Sequence, residues 1–239
     1  MSAKLLLLST STVHGAPYLE YCTELLEEYY TGIKELLFVP YARPGGITHD
    51  EYTSIARKRF EKLGIFTTGL HELENDGDKI SDFPAMFIGG GSTFLLLHEL
   101  YRHQLIDSIQ DAVNSGKTQY MGTSAGSNVA GLTIQTTNDM PIIYPPSFNA
   151  LALVNFNLNP HYLDPDPNSK HMGETRETRI KEFHKISQNV QSVIGIREGS
   201  GLLLEDNKLK LTGDLPARLF EQGKEPVEYK AGSDLTFLL

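Results

Sequence analysis

Tyr120-Met121-Gly122-Thr123-Ser124-Ala125-Gly126 carries a short apolar run into a serine flanked by glycines, and a stretch of helical character, 127–130, follows. A serine at such a strand-to-helix turn is held in a sharp bend that lifts its hydroxyl above the sheet. Residues two positions away must be small, because backbone passes close to neighbouring elements there. Gly122 and Gly126 meet that demand. A glycine-rich turn with a helix-capping serine is the competing explanation. The position of the motif, where strand gives way to helix, favours Ser124 as a nucleophile.

Outward from this turn, short apolar runs alternate with amphipathic stretches. Strands are predicted over 5–8, 36–39, 85–88 and 120–121, and helices over 18–30, 50–62, 94–101 and 106–113. Within 50–62 and just beyond, Ile55, Arg59, Phe60 and Leu63 recur at helical spacing. Regular alternation of strand and helix implies parallel strands joined by crossover helices. The second half predicts a strand over 151–158, a helix over 174–185, and short β runs over 193–196, 202–205, 209–211, 218–220, 227–229 and 235–239. Turn signals at Asp206-Asn207 and Gly213-Asp214 make these hairpins added to one edge of the sheet. With no repeat or linker, the expectation is one α/β domain over 1–239, a mostly parallel central sheet flanked by helices.

Composition narrows the classes further. The 239 residues include 21 Lys+Arg against 30 Asp+Glu, a net charge of −9, and 40% hydrophobic residues, which suits a compact fold and not a disordered chain. No net positive field attracts phosphate, so nucleic acid is not an expected partner. One cysteine, Cys22, excludes an intramolecular disulfide and a Cys-based zinc cluster, and is expected to be a buried structural thiol. The Leu5–Leu8 run is too short for a membrane span or a signal segment, so the cytosol is the expected location.

A serine nucleophile needs a base, an orienting acid and donors for the oxyanion. Gly89-Gly90-Gly91 follows the 85–88 strand, so the N–H groups of Gly90 and Gly91 can join that of Ala125 around a substrate carbonyl. A dinucleotide loop is not completed, because Phe94 stands where its last glycine belongs, and a phosphate loop lacks its Gly-Lys-Ser/Thr ending. Of eight histidines, His14, His49 and His71 fall in or near loops, His98, His103 and His184 on helical stretches, and His171 in a polar loop. His161 alone directly follows a predicted strand, where α/β sheets assemble ligand sites. The segment Asp164-Pro165-Asp166-Pro167-Asn168 is not a calcium loop, because Ser169 and Thr175 replace its turn glycine and bidentate glutamate.

Together, Gly89-Gly90-Gly91-Ser92-Thr93, Gly122–126, Thr136-Thr137-Asn138-Asp139-Met140-Pro141, Asn159-Pro160-His161 and Gly173-Glu174-Thr175-Arg176-Glu177 resemble the ordered motifs of the peptidase E family, the α-aspartyl dipeptidases. The resemblance spans about 36–199. It implies a class I glutamine amidotransferase-like fold, no metal or organic cofactor, and hydrolysis of small Asp-X dipeptides with an unblocked N-terminal L-aspartate. By the same resemblance Ser124 is the nucleophile and His161 the base, and either Glu198 or Asp139 is the third catalytic member, with Glu198 preferred for orienting the imidazole. Arg176 would take the substrate carboxylate, with Arg179 one turn further on. Ser92 departs from the asparagine common in the family after the three glycines, which leaves the backbone donors intact. Two rivals are a cyanophycinase-like β-aspartyl peptidase and a catalytically silent module binding an acidic metabolite. A monomer or a homodimer is expected.

Overall fold

Leu5–Leu8 (β1) is buried on both faces, which is why it lies inside a sheet and not at its rim. The computed structural model describes residues 3–74, 76–166, 168, 170, 172–186 and 188–239. His171, Pro167 and Ser169 of the sequence analysis lie outside the described residues. After β1 come Thr23–Tyr29 (α1), Glu35–Val39 (β2), His49–Glu61 (α2), Phe66–Gly69 (β3), Asp76–Lys79 (α3) and Ala85–Ile88 (β4). Thr93–Arg102 (α4), Leu105–Asn114 (α5), Gln119–Thr123 (β5) and Ala125–Asn128 (α6) complete the first half. The second half holds Asn157–Pro160 (β6), Arg176–Lys185 (α7), Val193–Ile196 (β7), Ser200–Glu205 (β8), Lys208–Gly213 (β9), Ala217–Phe220 (β10) and Val227–Tyr229 (β11).

Among the described residues, seven strands form the main sheet in the order β3-β2-β4-β5-β1-β8-β9. The first five run parallel, while β8 and β9 form an antiparallel hairpin against β1. Leu5 and Leu7 face a core with Leu96, Leu97 and Ile109 of α4 and α5. Leu6 and Leu8 face the opposite core with Leu26, Tyr29 and Phe60 of α1 and α2. Helices on both faces thus follow from near-continuous apolar strands, as the alternation predicts. Thr48 caps α2 with a reciprocal box, its hydroxyl accepting from Glu51 N–H while the Glu51 carboxylate accepts from Thr48 N–H.

Four expectations are corrected. The helix expected over 18–30 begins only at Thr23, because Leu19 takes a positive φ of 54° and Cys22 ends the preceding turn as N-cap. Of the strand expected over 151–158, only Asn157–Pro160 pairs; the chain before it turns back, its N–H groups at Leu151, Ala152 and Leu153 donating to carbonyls of 129–131. The end of the chain is a 3-10 turn over Thr236–Leu238 and not a strand. The late strands do not all extend one edge: β6, β7, β10 and β11 form a second sheet, in which β6 and β7 are parallel. The edge strand β3 was not anticipated, and Ile55 of α2 faces outward while Tyr52, Ala56, Arg59 and Phe60 pack inward.

Cys22 is buried, its Sγ set against Leu19 O at 3.5 Å, and burial pushes its thiol up to about 12. Among the described residues, no helix is long and apolar enough to cross a membrane.

Candidate active site

Because β4 and β5 are neighbouring parallel strands, the loops leaving their C-terminal ends meet. Ser124 follows β5 with φ 52° and ψ −111°, a left-handed conformation that costs a serine of order 1–3 kcal/mol and persists only when its surroundings enforce it. They do. Ser124 N–H donates to Leu8 O, the Ser127 hydroxyl donates to Leu8 O and Gly122 O, and the Tyr120 hydroxyl donates to Gly126 O at 2.6 Å. A methyl group added to Gly126 would lie 2.1 Å from Ile88 O, and one on Gly122 would lie 2.5 Å from Gly126 O. Gly126→Ala therefore displaces the turn from β4 and lowers stability by roughly 1–3 kcal/mol, readable as a fall of several degrees in Tm.

His161 leaves β6, the first position after Pro160, also at positive φ (54°). Its backbone N–H donates to Ser9 Oγ, which in turn donates to Ile196 O, both at 2.8 Å. The imidazole is thereby held with Nε2 2.9 Å from Ser124 Oγ and Nδ1 2.6 Å from Glu198 Oε1. Glu198 belongs to the turn between β7 and β8. Its neighbour Arg197 fastens that turn, donating to Asp164, to Glu228 and to Pro216 O. These partners hold the Arg197 guanidinium well above its ordinary pKa and the Asp164 carboxyl below its own.

Asp139 sits elsewhere. Its Oδ2 accepts from Thr93 N–H at 2.6 Å, tying the 137–139 loop to the first turn of α4, two residues after Gly91. It lines the recess over Ser124 with Thr93, Asn128, Thr137, Asn138 and His161. Ser92 caps α4 by accepting from Leu95 N–H. Among the described residues, the N–H groups of Gly90, Gly91 and Ala125 donate to no protein acceptor, whereas Gly89 N–H donates to Val39 O. The Tyr52 hydroxyl of α2 donates to Gly90 O and fixes the direction of that peptide.

The recess over Ser124 is only about 20 Å³. A cavity of about 370 Å³ adjoins it, sharing Thr137 and Asn138 and lined further by Asn159, Arg176, Arg179 and Phe183. Arg179 is engaged by Glu174 at 2.7 Å and Glu182 at 3.1 Å. Among the described residues, Arg176 has no ion-pair partner. The two arginines are therefore not equivalent, and only Arg176 offers an uncommitted guanidinium to this cavity. A further cavity of about 700 Å³ is lined by Cys22, Glu198 and Asp214, and not by Ser124 or His161.

Sequence reasoning missed Ser9, Tyr52, Asn138 and Arg197. Ser9 had a usable signal, as the first polar residue after an apolar strand. Asn138 lies within a motif already singled out, where its Nδ2 donates to Pro160 O and its Oδ1 accepts from Asn159.

Chemically, the serine, imidazole and carboxylate in line, with free N–H donors beside the hydroxyl, form a set able to carry out acyl transfer. Comparison with known proteins agrees. A relative from Drosophila melanogaster named "Probable alpha-aspartyl dipeptidase" is 45% identical over 98% of this chain and 97% of its own length. A "Peptidase E" of Streptomyces coelicolor is 46% identical over 98% of this chain and 94% of its own. The crystal structure of a peptidase from an acI-B1 actinobacterium superposes with a TM-score of 0.73 at 18% identity, covering 98% of this chain and 97% of that one. The model of peptidase family S51 matches residues 5–212, and this chain belongs to that family.

Proposed function

We propose that this chain is a single-domain serine dipeptidase that removes an unblocked N-terminal L-aspartate from small Asp-X dipeptides and works in the cytoplasm. The observation that carries it is the line from Ser124 Oγ through His161 to Glu198, at 2.9 Å and 2.6 Å. His161 Nε2 takes the serine proton as Oγ attacks the aspartyl carbonyl. The oxyanion that forms is stabilised by the N–H groups of Gly90, Gly91 and Ala125, which need no reorientation to receive it. His161 then gives its proton to the departing amino group of X, leaving Asp esterified to Ser124. Water, deprotonated by the same imidazole, cleaves the ester and restores the hydroxyl. Glu198 holds the tautomer with the proton on Nδ1 and stabilises the imidazolium. Asp139 braces the glycine loop through Thr93 and keeps Oδ1 for the substrate ammonium.

The recess over Ser124 is too small for a side chain, so the substrate carboxylate enters the adjoining cavity and meets Arg176. The name of the Drosophila melanogaster relative points to the same substrate class. A panel of Asp-X, Glu-X, Asn-X, β-Asp-X and Leu-X dipeptides tests this. Asp-X turns over best by a wide margin, and equal kcat/KM for Asp-X and Leu-X overturns the proposal. Serine, imidazole and backbone donors supply every step, so EDTA leaves turnover unchanged; activity lost to EDTA and restored by zinc or manganese contradicts the mechanism.

A further inference from the structure

Asn128 stands four residues after Ser124, so the two side chains share a face of the turn that α6 makes, and its N–H donates to Ser124 O at 2.8 Å. It lines the recess over the nucleophile and is 1% exposed. The side-chain Nδ2 donates to Leu158 O at 2.8 Å, which fixes which end of the amide is which. Oδ1 is thereby left buried, and among the described residues it has no hydrogen-bond partner. Such an acceptor carries a free-energy cost that a donor entering the recess removes.

We propose that Asn128 Oδ1 accepts a hydrogen bond from the substrate's α-ammonium, beside the uncommitted Oδ1 of Asp139, and that this pair selects a free N-terminus. The inference rests on the serine dipeptidase reading and deepens it. An α-nitrogen lies only about 2.5 Å from the carbonyl carbon that Ser124 attacks, since an N–Cα and a Cα–C bond separate them. The group therefore enters the recess itself, whose volume of about 20 Å³ holds an ammonium but not an acylated nitrogen.

An ammonium brings three donors and no acceptor. Asp139, whose Oδ2 is taken by Thr93 N–H, supplies the opposing charge. Asn128 supplies a neutral second acceptor from another element. A second carboxylate in its place would favour the protonated form of His161, whereas an amide leaves the imidazole free to act as a base. Leu158 O also accepts from Thr136 Oγ1 at 2.9 Å, so losing the Asn128 amide does not orphan that carbonyl.

The test compares Asp-X with succinyl-X, the same molecule without its α-amino group, in the wild type, Asn128→Leu and Asn128→Ala. The wild type hydrolyses succinyl-X about a hundredfold or more less efficiently in kcat/KM, as a site built to pair a polar group rejects an analogue lacking it. Asn128→Leu keeps much of the side-chain volume and removes the acceptor. KM for Asp-X then rises roughly tenfold with kcat within about threefold, and the ratio between the two substrates shrinks to match. Asn128→Ala shrinks the ratio too, and keeps the test sound should leucine pack poorly. Labelling of Ser124 by a fluorophosphonate, which needs the nucleophile and His161 but no ammonium, proceeds at an undiminished rate in both variants. Equal losses for Asp-X and succinyl-X, labelling slowed in step with turnover, or unchanged Asp-X kinetics in both variants overturns the inference. A wild type without aspartate preference overturns the aspartyl reading alone, because every N-terminal residue carries the same ammonium. The comparison is then read with the preferred residue and its des-amino analogue.

Discussion

Ser124→Ala abolishes Asp-X turnover, lowering kcat by roughly four to six orders of magnitude, and leaves a folded protein. Alanine fits wherever the serine fits, and the turn is held by Ser127, Tyr120 and Leu8 backbone contacts that do not involve the hydroxyl. Single-turnover assays on a preparation verified by mass spectrometry read the loss, and near-wild-type turnover removes the acyl-enzyme from the mechanism. The positive φ of Ser124 adds a second arm. Ser124→Gly is equally inactive yet more stable than Ser124→Ala, by about 1 kcal/mol, because glycine adopts φ 52° without a Cβ clash. A higher Tm in the inactive glycine variant would mean that the strain serves the chemistry and not the fold.

Arg176→Ala is the second large effect, and it falls on specificity. Removing one partner of a desolvated ion pair costs on the order of 3–5 kcal/mol, and a half-buried Arg176 puts the loss near the lower end, roughly two orders of magnitude in kcat/KM for Asp-X. Arg176→Lys recovers only part of it, since an ammonium cannot reproduce the planar two-pronged contact. Asn-X is far poorer than Asp-X for the wild type and no poorer for Arg176→Ala, because the missing charge no longer matters. Arg179→Ala is mild by comparison, its guanidinium being shared between Glu174 and Glu182 at the surface. Unchanged Asp-X kinetics in Arg176→Ala would defeat the substrate assignment while leaving the serine hydrolase intact.

Much of this was legible in the chain. Leu5–Leu8, Ala85–Ile88 and the alternation around them dictate parallel strands buried on both faces, since runs so apolar are stable only between two layers of helices. The passage from β5 to α6 marks Ser124, because only small neighbours allow that bend, and the spacings 2.1 Å and 2.5 Å at Gly126 and Gly122 are the physical content of the motif. The glycines after β4 follow from the same local logic. These are short-range constraints, readable within a few residues of the turn.

What the tertiary structure alone decided are pairings between segments far apart in sequence. The 151–156 segment is apolar enough for a strand, yet its N–H groups find partners on 129–131, and backbone satisfaction outweighs propensity. Spacing in the chain does not separate Glu198 from Asp139, and only the resemblance favours Glu198 there. Only the parallel pairing of β6 with β7 brings the 197–199 turn to His161 Nδ1, while the Asp139 loop is drawn to Thr93 N–H at the start of α4. Arg176 and Arg179 share one motif and one helix, and they separate only when Glu174 and Glu182 occupy one of them. Identity and spacing announce which groups can act. Which of them act together depends on packing that no local pattern encodes.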